Sequence, residues 1–399
     1  MARRIHCGIN IDPANELARP SAQEIQDLGA TWVRFVFKDD SDALQPARFP
    51  FYDDQVWRLN QAGINILMVL NNETYPGKPA SDAHDATWDV YIAKFANRCR
   101  QIAQHYGPQV QAYQIWNEPD YLEPKPEYDP CVRAEVFGPL LRAAFTAIKG
   151  VSSATVVMGG LAAGHTGYLE EVKASTDSVL YVDAVGVHPY GRRPTQDWPY
   201  PGWGFGVLGD LIRKYQAKAA GKPIWITEMG TRDTSVVYTD GTFCIQDEFP
   251  GRTLRALNQD LAETTPYVFW FCWSDSMESP LGLVDAAKRE KKSYTSFQEF
   301  ASLPFEGEVF HVVTVDETLL RDVLLAEAEV HQMIQLNPNA ALQMRIFADG
   351  FVPNSHEFDI QINEVQYRAQ RAEHLGTGRV RVYYAKVPDW SNVRFVERP

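Results

Sequence analysis

The 399-residue sequence has no run of lysine or arginine, and its formal net charge is −13 with a pI near 5.2. Without a basic stripe it is poorly suited to nucleic acid or to an anionic membrane surface, and a neutral partner fits it better than a phosphorylated one. Long apolar runs are missing as well. The most apolar stretch, Tyr267 to Trp273, is far short of the ~20 residues that span a bilayer. The segment after Arg3-Arg4 lacks the apolar core of a signal peptide, so the expected setting is cytoplasmic or that of a mature secreted form without its leader. Cysteine is scarce: Cys7, Cys99, Cys131, Cys244 and Cys272 are scattered, odd in number and without a C-x-x-C pair. That pattern argues against a zinc site and against a complete disulfide framework. Cys7 and Cys272 lie in apolar runs and read as buried thiols. Neither His-x-His nor His-x-x-x-His occurs, so the usual ligand spacing of a catalytic metal is absent. No glycine-rich dinucleotide loop follows the first apolar run. No cofactor is expected, and oligomeric state leaves no mark in the sequence.

What is present describes a soluble globular chain, with 45% apolar and 22% charged residues. Eight short apolar runs punctuate the first part: 5–11, 31–37, 64–70, 110–116, 154–160, 182–188, 222–228 and 266–272. Most are rich in β-branched or aromatic residues and nearly continuous rather than alternating, as strands buried on both faces are. Helical segments lie between them. Ser21 with Glu24 forms a capping box ahead of one; another runs from Asp85 to Gly107 and a third ends at Gly150. Strand–helix alternation with right-handed crossovers predicts a closed (β/α)8 TIM barrel, an α/β fold that takes ~250 residues. An open doubly wound sheet is the competing architecture. After residue 303 the pattern changes to alternating strands (EVFHVVTV, LQMRIFA, HEFDIQI, RVRVYYA) with one helix-like stretch, LLRDVLLAEAEV. The expected organisation is therefore a catalytic barrel over 1–303 and a small α+β, β-rich accessory domain over 304–399.

In such a barrel, function sits where the strands end. The fourth run ends in Trp116-Asn117-Glu118-Pro119 and the seventh in Thr227-Glu228-Met229-Gly230. Each places a glutamate at the mouth of a strand too apolar to need one, and the two strands face each other across the ring. Taken singly, each glutamate could be a surface group at a strand end. Together they are the carboxylate pair that glycosidic cleavage requires, one to protonate the leaving oxygen and one to attack the anomeric carbon.

On Ile115-Trp116-Asn117-Glu118-Pro119 and Trp225-Ile226-Thr227-Glu228, residues 4–303 resemble clan A of the glycoside hydrolases. The resemblance implies a retaining enzyme with Glu118 as acid/base, Glu228 as nucleophile and Asn117 on the sugar 2-hydroxyl. It further implies that Arg34 sits near Glu228 and keeps it ionised, that Tyr190 bonds the nucleophile, that His188 lines the sugar site and that Trp273 is an aromatic platform. Arg34 could equally be a structural ion pair, His188 a structural histidine and Trp273 a core residue. Many members of the clan's cellulase-like family carry a histidine where this chain has Leu70-Asn71-Asn72-Glu73. The wording is closer to family 39.

Three other motifs are read as structural or peripheral. Gly159-Gly160 through Gly164-His165-Thr166 mimics a phosphate loop but has histidine where that chemistry needs lysine, so a tight turn is expected. Asp39, Asp40 and Asp42 read as a solvated loop rather than a calcium site. The aromatics of 197–203 could add sugar subsites or merely stiffen a loop. In the C-terminal part, Val312 to Leu319 followed by Gln335 to Asn339 resembles a degenerate LysM module, which would imply binding of N-acetylglucosamine polymers; Asp316-Glu317 departs from its Gly-Asp. The expectation is a β-glycoside hydrolase acting on a polysaccharide or oligosaccharide. The alternative is a barrel that binds carbohydrate without cleaving it.

Overall fold

The computed structural model describes residues 3–80, 83–121, 130–162, 164–192, 206–231 and 246–303, with short strands at 236–237 and 243–244 and seven more after residue 309. The chain divides into two compact units, one of Arg3–Ala301 and one of Met1–Ala2 with Ser302–Pro399.

The first unit is built from β1 (His6–Asn10), α1 (Ala22–Asp27), β2 (Trp32–Val36), α2 (Phe49–Gln61), β3 (Asn65–Leu70), α3 (Ala86–Tyr106), β4 (Ala112–Ile115), α4 (Ala134–Lys149), β5 (Thr155–Ala162), α5 (Gly167–Ala174), β6 (Ala184–His188), α6 (Leu208–Lys218), β7 (Ile224–Met229), α7 (Phe249–Asp260), β8 (Tyr267–Trp270) and α8 (Lys292–Ala301). The strands close into one parallel barrel in the order β1-β8-β7-β6-β5-β4-β3-β2. This is the (β/α)8 TIM barrel expected from the sequence. The helix signals read earlier are in place: Ser21 accepts from Glu24 N while Glu24 accepts from Ser21 N, and Asp85 accepts from Thr87 N and Trp88 N at the start of α3. Helices α2 and α5 lack such signals, since neither has a side-chain cap at its N-terminus.

The barrel interior is filled in layers set by the two-residue period of the strands. Trp32, Leu67, Ala112, Val157, Ala184, Trp225 and Phe269, one from each of β2 to β8, form an apolar floor with Tyr267 packed against it. Gly8 is β1's contribution; a Cβ there would stand 2.3 Å from the Phe269 ring. Two residues further along each strand the sequence reads Asn10, Arg34, Val69, Gln114, Gly159, Gly186, Thr227 and Phe271. A polar layer thus rests on the aromatic one, at the end of the strands where the candidate carboxylates lie.

Two expectations are corrected. Gly159-Gly160 does not form a tight turn, because β5 runs on to Ala162. A side chain at Gly159 would meet the backbone of Ile115 and Trp116, and one at Gly160 the ring of His188, so these glycines allow close approach within the strand. Asp39 is not solvated. It is 1% exposed and paired with Arg98 of α3 at 3.2 Å, a partner distant in sequence that the acidic triplet did not announce. Cys7 and Cys272 are buried, as their apolar runs suggested.

The second unit contains β9 (Phe310–Asp316), β10 (Leu342–Gln343), β11 (Ile360–Ile362), β12 (Val365–Tyr367), β13 (Ala369–His374), β14 (Arg379–Ala385) and β15 (Val393–Phe395). They form a three-stranded antiparallel sheet, β9-β14-β13, and a four-stranded one, β10-β15-β11-β12. The helix-like stretch 319–330, the LysM-like Thr318 and Asn337, and the aromatic loop 197–203 lie outside the described residues.

Candidate active site

The turn after β4 carries the first glutamate. Trp116 and Glu118 both adopt left-handed backbone, φ 72° and 47°. Their amides are held by the neighbouring strands, Trp116 N donating to Leu70 O at 2.8 Å and Glu118 N to Gly160 O at 3.1 Å. The Trp116 indole is buried and donates to Pro130 O at 2.7 Å. These ties hold a conformation that L residues rarely adopt and turn the Glu118 side chain over the barrel mouth.

Glu228, near the end of β7, faces it. Oxygens of Glu118 and Glu228 and a ring nitrogen of His188 all lie within 4.8 Å of one another. His188, the last residue of β6, places Nδ1 2.8 Å from Glu118 Oε1 and 3.6 Å from Glu228 Oε2. Its Nε2 meets Thr227 Oγ1 at 3.1 Å. The ring has room only because Gly160 has no side chain: a Cβ there would lie 1.8 Å from Nε2.

Glu228 is held from both sides. Arg34 Nη1 donates to its Oε1 at 2.6 Å and the Tyr190 hydroxyl donates to its Oε2 at 2.6 Å. Burial pushes the Glu228 carboxyl up, but the charges of His188 and Arg34 and the hydrogen bonds from Tyr190 and Arg34 more than offset it, leaving it below the usual carboxylate range. Burial, then the neighbouring Glu228 charge, keeps Tyr190 a neutral phenol far above its ordinary value, so it stays a donor.

Five of the expected site residues, Arg34, Asn117, His188, Tyr190 and Glu228, thus join Glu118 in one network of hydrogen bonds and ion pairs, Asn117 through its Oδ1, which accepts from Arg34 Nη2 at 2.6 Å. Trp273 lies three residues beyond β8, buried edge-on to Tyr294, with its ring nitrogen unpartnered among the described residues. Phe271 is less buried, and its ring packs edge-on to Tyr190 at 6.0 Å between centroids.

Several residues of the site were not singled out in the sequence. Asn10 and Gln114 both accept from Arg34, and Thr227 accompanies His188. The available signal was a polar residue two positions beyond a core-facing one in an otherwise apolar strand. Asp120 is another. It is 3% exposed, its Oδ1 accepts from Ala162 N at 2.7 Å, and its Oδ2 has no partner among the described residues. Burial is the main reason its carboxyl is pushed up to about 7, with the Glu118 charge adding to it.

A parallel barrel with this carboxylate cluster at its C-terminal mouth is the framework of a barrel hydrolase. Within that class the chain belongs to the glycosyl hydrolase catalytic core family, whose model matches residues 58–285. The protein is therefore a glycoside hydrolase, and its substrate is a carbohydrate. Among solved structures it is similar to a family 39 glycoside hydrolase from the gut symbiont Bacteroides cellulosilyticus WH2 (TM-score 0.55, 17% identity, covering 96% of this chain and 81% of that one). A glucosidase from Croceicoccus marinus is similar over 75% of this chain and 67% of its own (TM-score 0.54, 16% identity). Xylanase 10B from Thermotoga maritima is similar over 75% and 95% (TM-score 0.50, 13% identity). At these identities the likeness is one of fold. No curated protein matches the sequence.

Proposed function

We propose that the protein is a retaining β-glycoside hydrolase acting on a polysaccharide or oligosaccharide, with Glu228 as nucleophile and Glu118 as acid/base. The observation that carries this reading is the approach of the two carboxylates to within 4.8 Å. With one oxygen of each carboxylate this near the other, the pair fits the ~5–5.5 Å separation of retaining enzymes better than the ~6.5–9.5 Å of inverting ones. The different surroundings of the two carboxylates support the division of roles. Glu228 has a cation and a phenol donor on it and is held as the anion, as a nucleophile must be.

In the first step an oxygen of Glu228 bonds to the anomeric carbon while the bond to the leaving oxygen breaks. That oxygen takes the proton of Glu118. In the second step Glu118 removes a proton from water, water oxygen bonds to the anomeric carbon, and the ester to Glu228 breaks, so the β configuration is kept. Asn117 is read as the group that holds the sugar 2-hydroxyl, with its oxygen already turned to Arg34. His188 is fully buried and bonded to Glu118, so its role is to orient that carboxyl rather than to line the sugar. Among the aromatics past β8, Phe271 is the more accessible and is read as the platform for a sugar, while Trp273 is buried.

The test is hydrolysis of a panel of aryl β-glycosides and β-linked polysaccharides, with the anomer of the first product followed by NMR. Retention is expected in the wild type, with turnover reduced by roughly 10³-fold or more in Glu228→Gln. A first product of inverted configuration, or full turnover in that variant, would overturn the reading.

A further inference from the structure

Arg34 is 3% exposed and spends its donors on four acceptors. Nη1 reaches Glu228 Oε1 and Asn10 Oδ1, each at 2.6 Å. Nε reaches Gln114 Oε1 at 3.0 Å and Nη2 reaches Asn117 Oδ1 at 2.6 Å. One acceptor is charged and three are amide oxygens. The Asn10 and Gln114 amides are fixed from behind. Asn10 Nδ2 donates to Thr227 O and Trp270 O, both at 3.1 Å, and Gln114 Nε2 donates to Trp116 O at 2.9 Å. With their N–H groups committed to carbonyls, only their oxygens can face the guanidinium.

We propose that Asn10 and Gln114 are positioning residues that hold Arg34 by neutral oxygens, so that its charge is committed to Glu228 whenever that carboxyl is ionised. This rests on Glu228 being the nucleophile. A buried cation needs acceptors even when its counterion is consumed, and Glu228 is neutral once it is esterified. Amide oxygens keep Arg34 in place in that state without competing for it in the free enzyme. A carboxylate at either position would divide the cation between two anions and put a second negative charge near Glu228. The other titratable groups facing Glu228 are His188 and Tyr190 at the end of β6, Glu118 past β4 and Cys272 past β8. Arg34 is the one among them with a permanent charge.

The test is the pH profile of kcat/KM for the wild type, Gln114→Glu and Asn10→Asp, with thermal unfolding of each. Splitting the cation raises the pH at which Glu228 ionises, so the acid limb moves up by about one pH unit in each folded acidic variant. The neutral swaps Gln114→Met and Asn10→Ser are run in parallel, because a new buried acid can unfold the barrel. They loosen Arg34 without competing for it, so kcat/KM at the optimum falls at least threefold while the acid limb moves less than half as far. An unmoved acid limb in a folded acidic variant overturns the proposal. So does an equal movement in the neutral swaps, or wild-type kcat/KM in both of them. Glu228→Gln is the separate control: full turnover there removes the nucleophile reading itself, whatever the amide variants do.

Discussion

Asp120 stands two residues from Glu118 and ties down the turn that carries it. Its one partnered oxygen ties the segment after β4 to Ala162 at the end of β5, while the other is buried without a partner among the described residues. A carboxyl whose second oxygen finds no donor is favoured as the uncharged acid, in keeping with a pKa of about 7. In the unfolded chain the group ionises near 4. The fold therefore binds this proton more tightly, and the stability it contributes is complete below pH ~4 and lost as pH rises towards ~7. Asp120→Asn keeps the acceptor for Ala162 and cannot ionise. We expect its advantage over the wild type in urea unfolding to grow between pH 3.5 and pH 8 by on the order of 1 kcal/mol or more. An equal advantage at both pH values would show that Asp120 is ionised in the fold.

Among the elements, the strands were the most legible part. Their apolar runs predicted all eight within a few residues, because a strand buried on both faces has nowhere to put a polar side chain. The polar exceptions Asn10, Arg34 and Gln114 mark the layer of the site. Arg34 is named by the resemblance. Asn10 ends β1 and Gln114 lies one residue short of the end of β4, but a lone amide at a strand end carries no chemical signature of its own, unlike the glutamates after β4 and in β7. The loops were less legible, since their partners lie far along the chain. The segment after β2 is an example. Asp39 N donates to Glu73 O at 2.7 Å, and its carboxylate accepts from Ser41 N and Ala47 N at 2.9 and 2.8 Å. Arg98 of α3 donates to Asp39 and Thr74 O, both at 3.2 Å, and to Ser41 O and Ala43 O at 3.1 and 2.7 Å. One buried guanidinium thus clips the loops after β2 and β3 to the following helix. Arg98→Met leaves Asp39 buried and uncompensated, at a cost of ~3–5 kcal/mol. The double variant Arg98→Met with Asp39→Asn is expected to recover part of it, a coupling that chemical denaturation measures directly. Additive losses would mean that the pair does not act as a unit.

For the whole molecule, the sequence marked a change of pattern after residue 303, and the compact barrel unit ends at Ala301. The barrel accounts for its own core. Its floor draws one side chain from each of β2 to β8, with Gly8 of β1 making room for Phe269, and each of its helices carries buried apolar side chains. Every residue assigned here to the chemistry, from Asn10 to Phe271, belongs to that same unit. A closed barrel has no open sheet edge that a second domain must cover. We therefore expect a fragment of residues 1–303 to fold on its own and to hydrolyse a small aryl glycoside with a kcat within about threefold of the full chain, since kcat reads the carboxylates and their supports. On a polymeric substrate a higher KM for the fragment would mark residues 304–399 as binding chain segments remote from the cleaved bond. Circular dichroism, thermal unfolding and both assays decide it. A folded fragment inactive towards the small glycoside would show that the chemistry needs a group from residues 304–399.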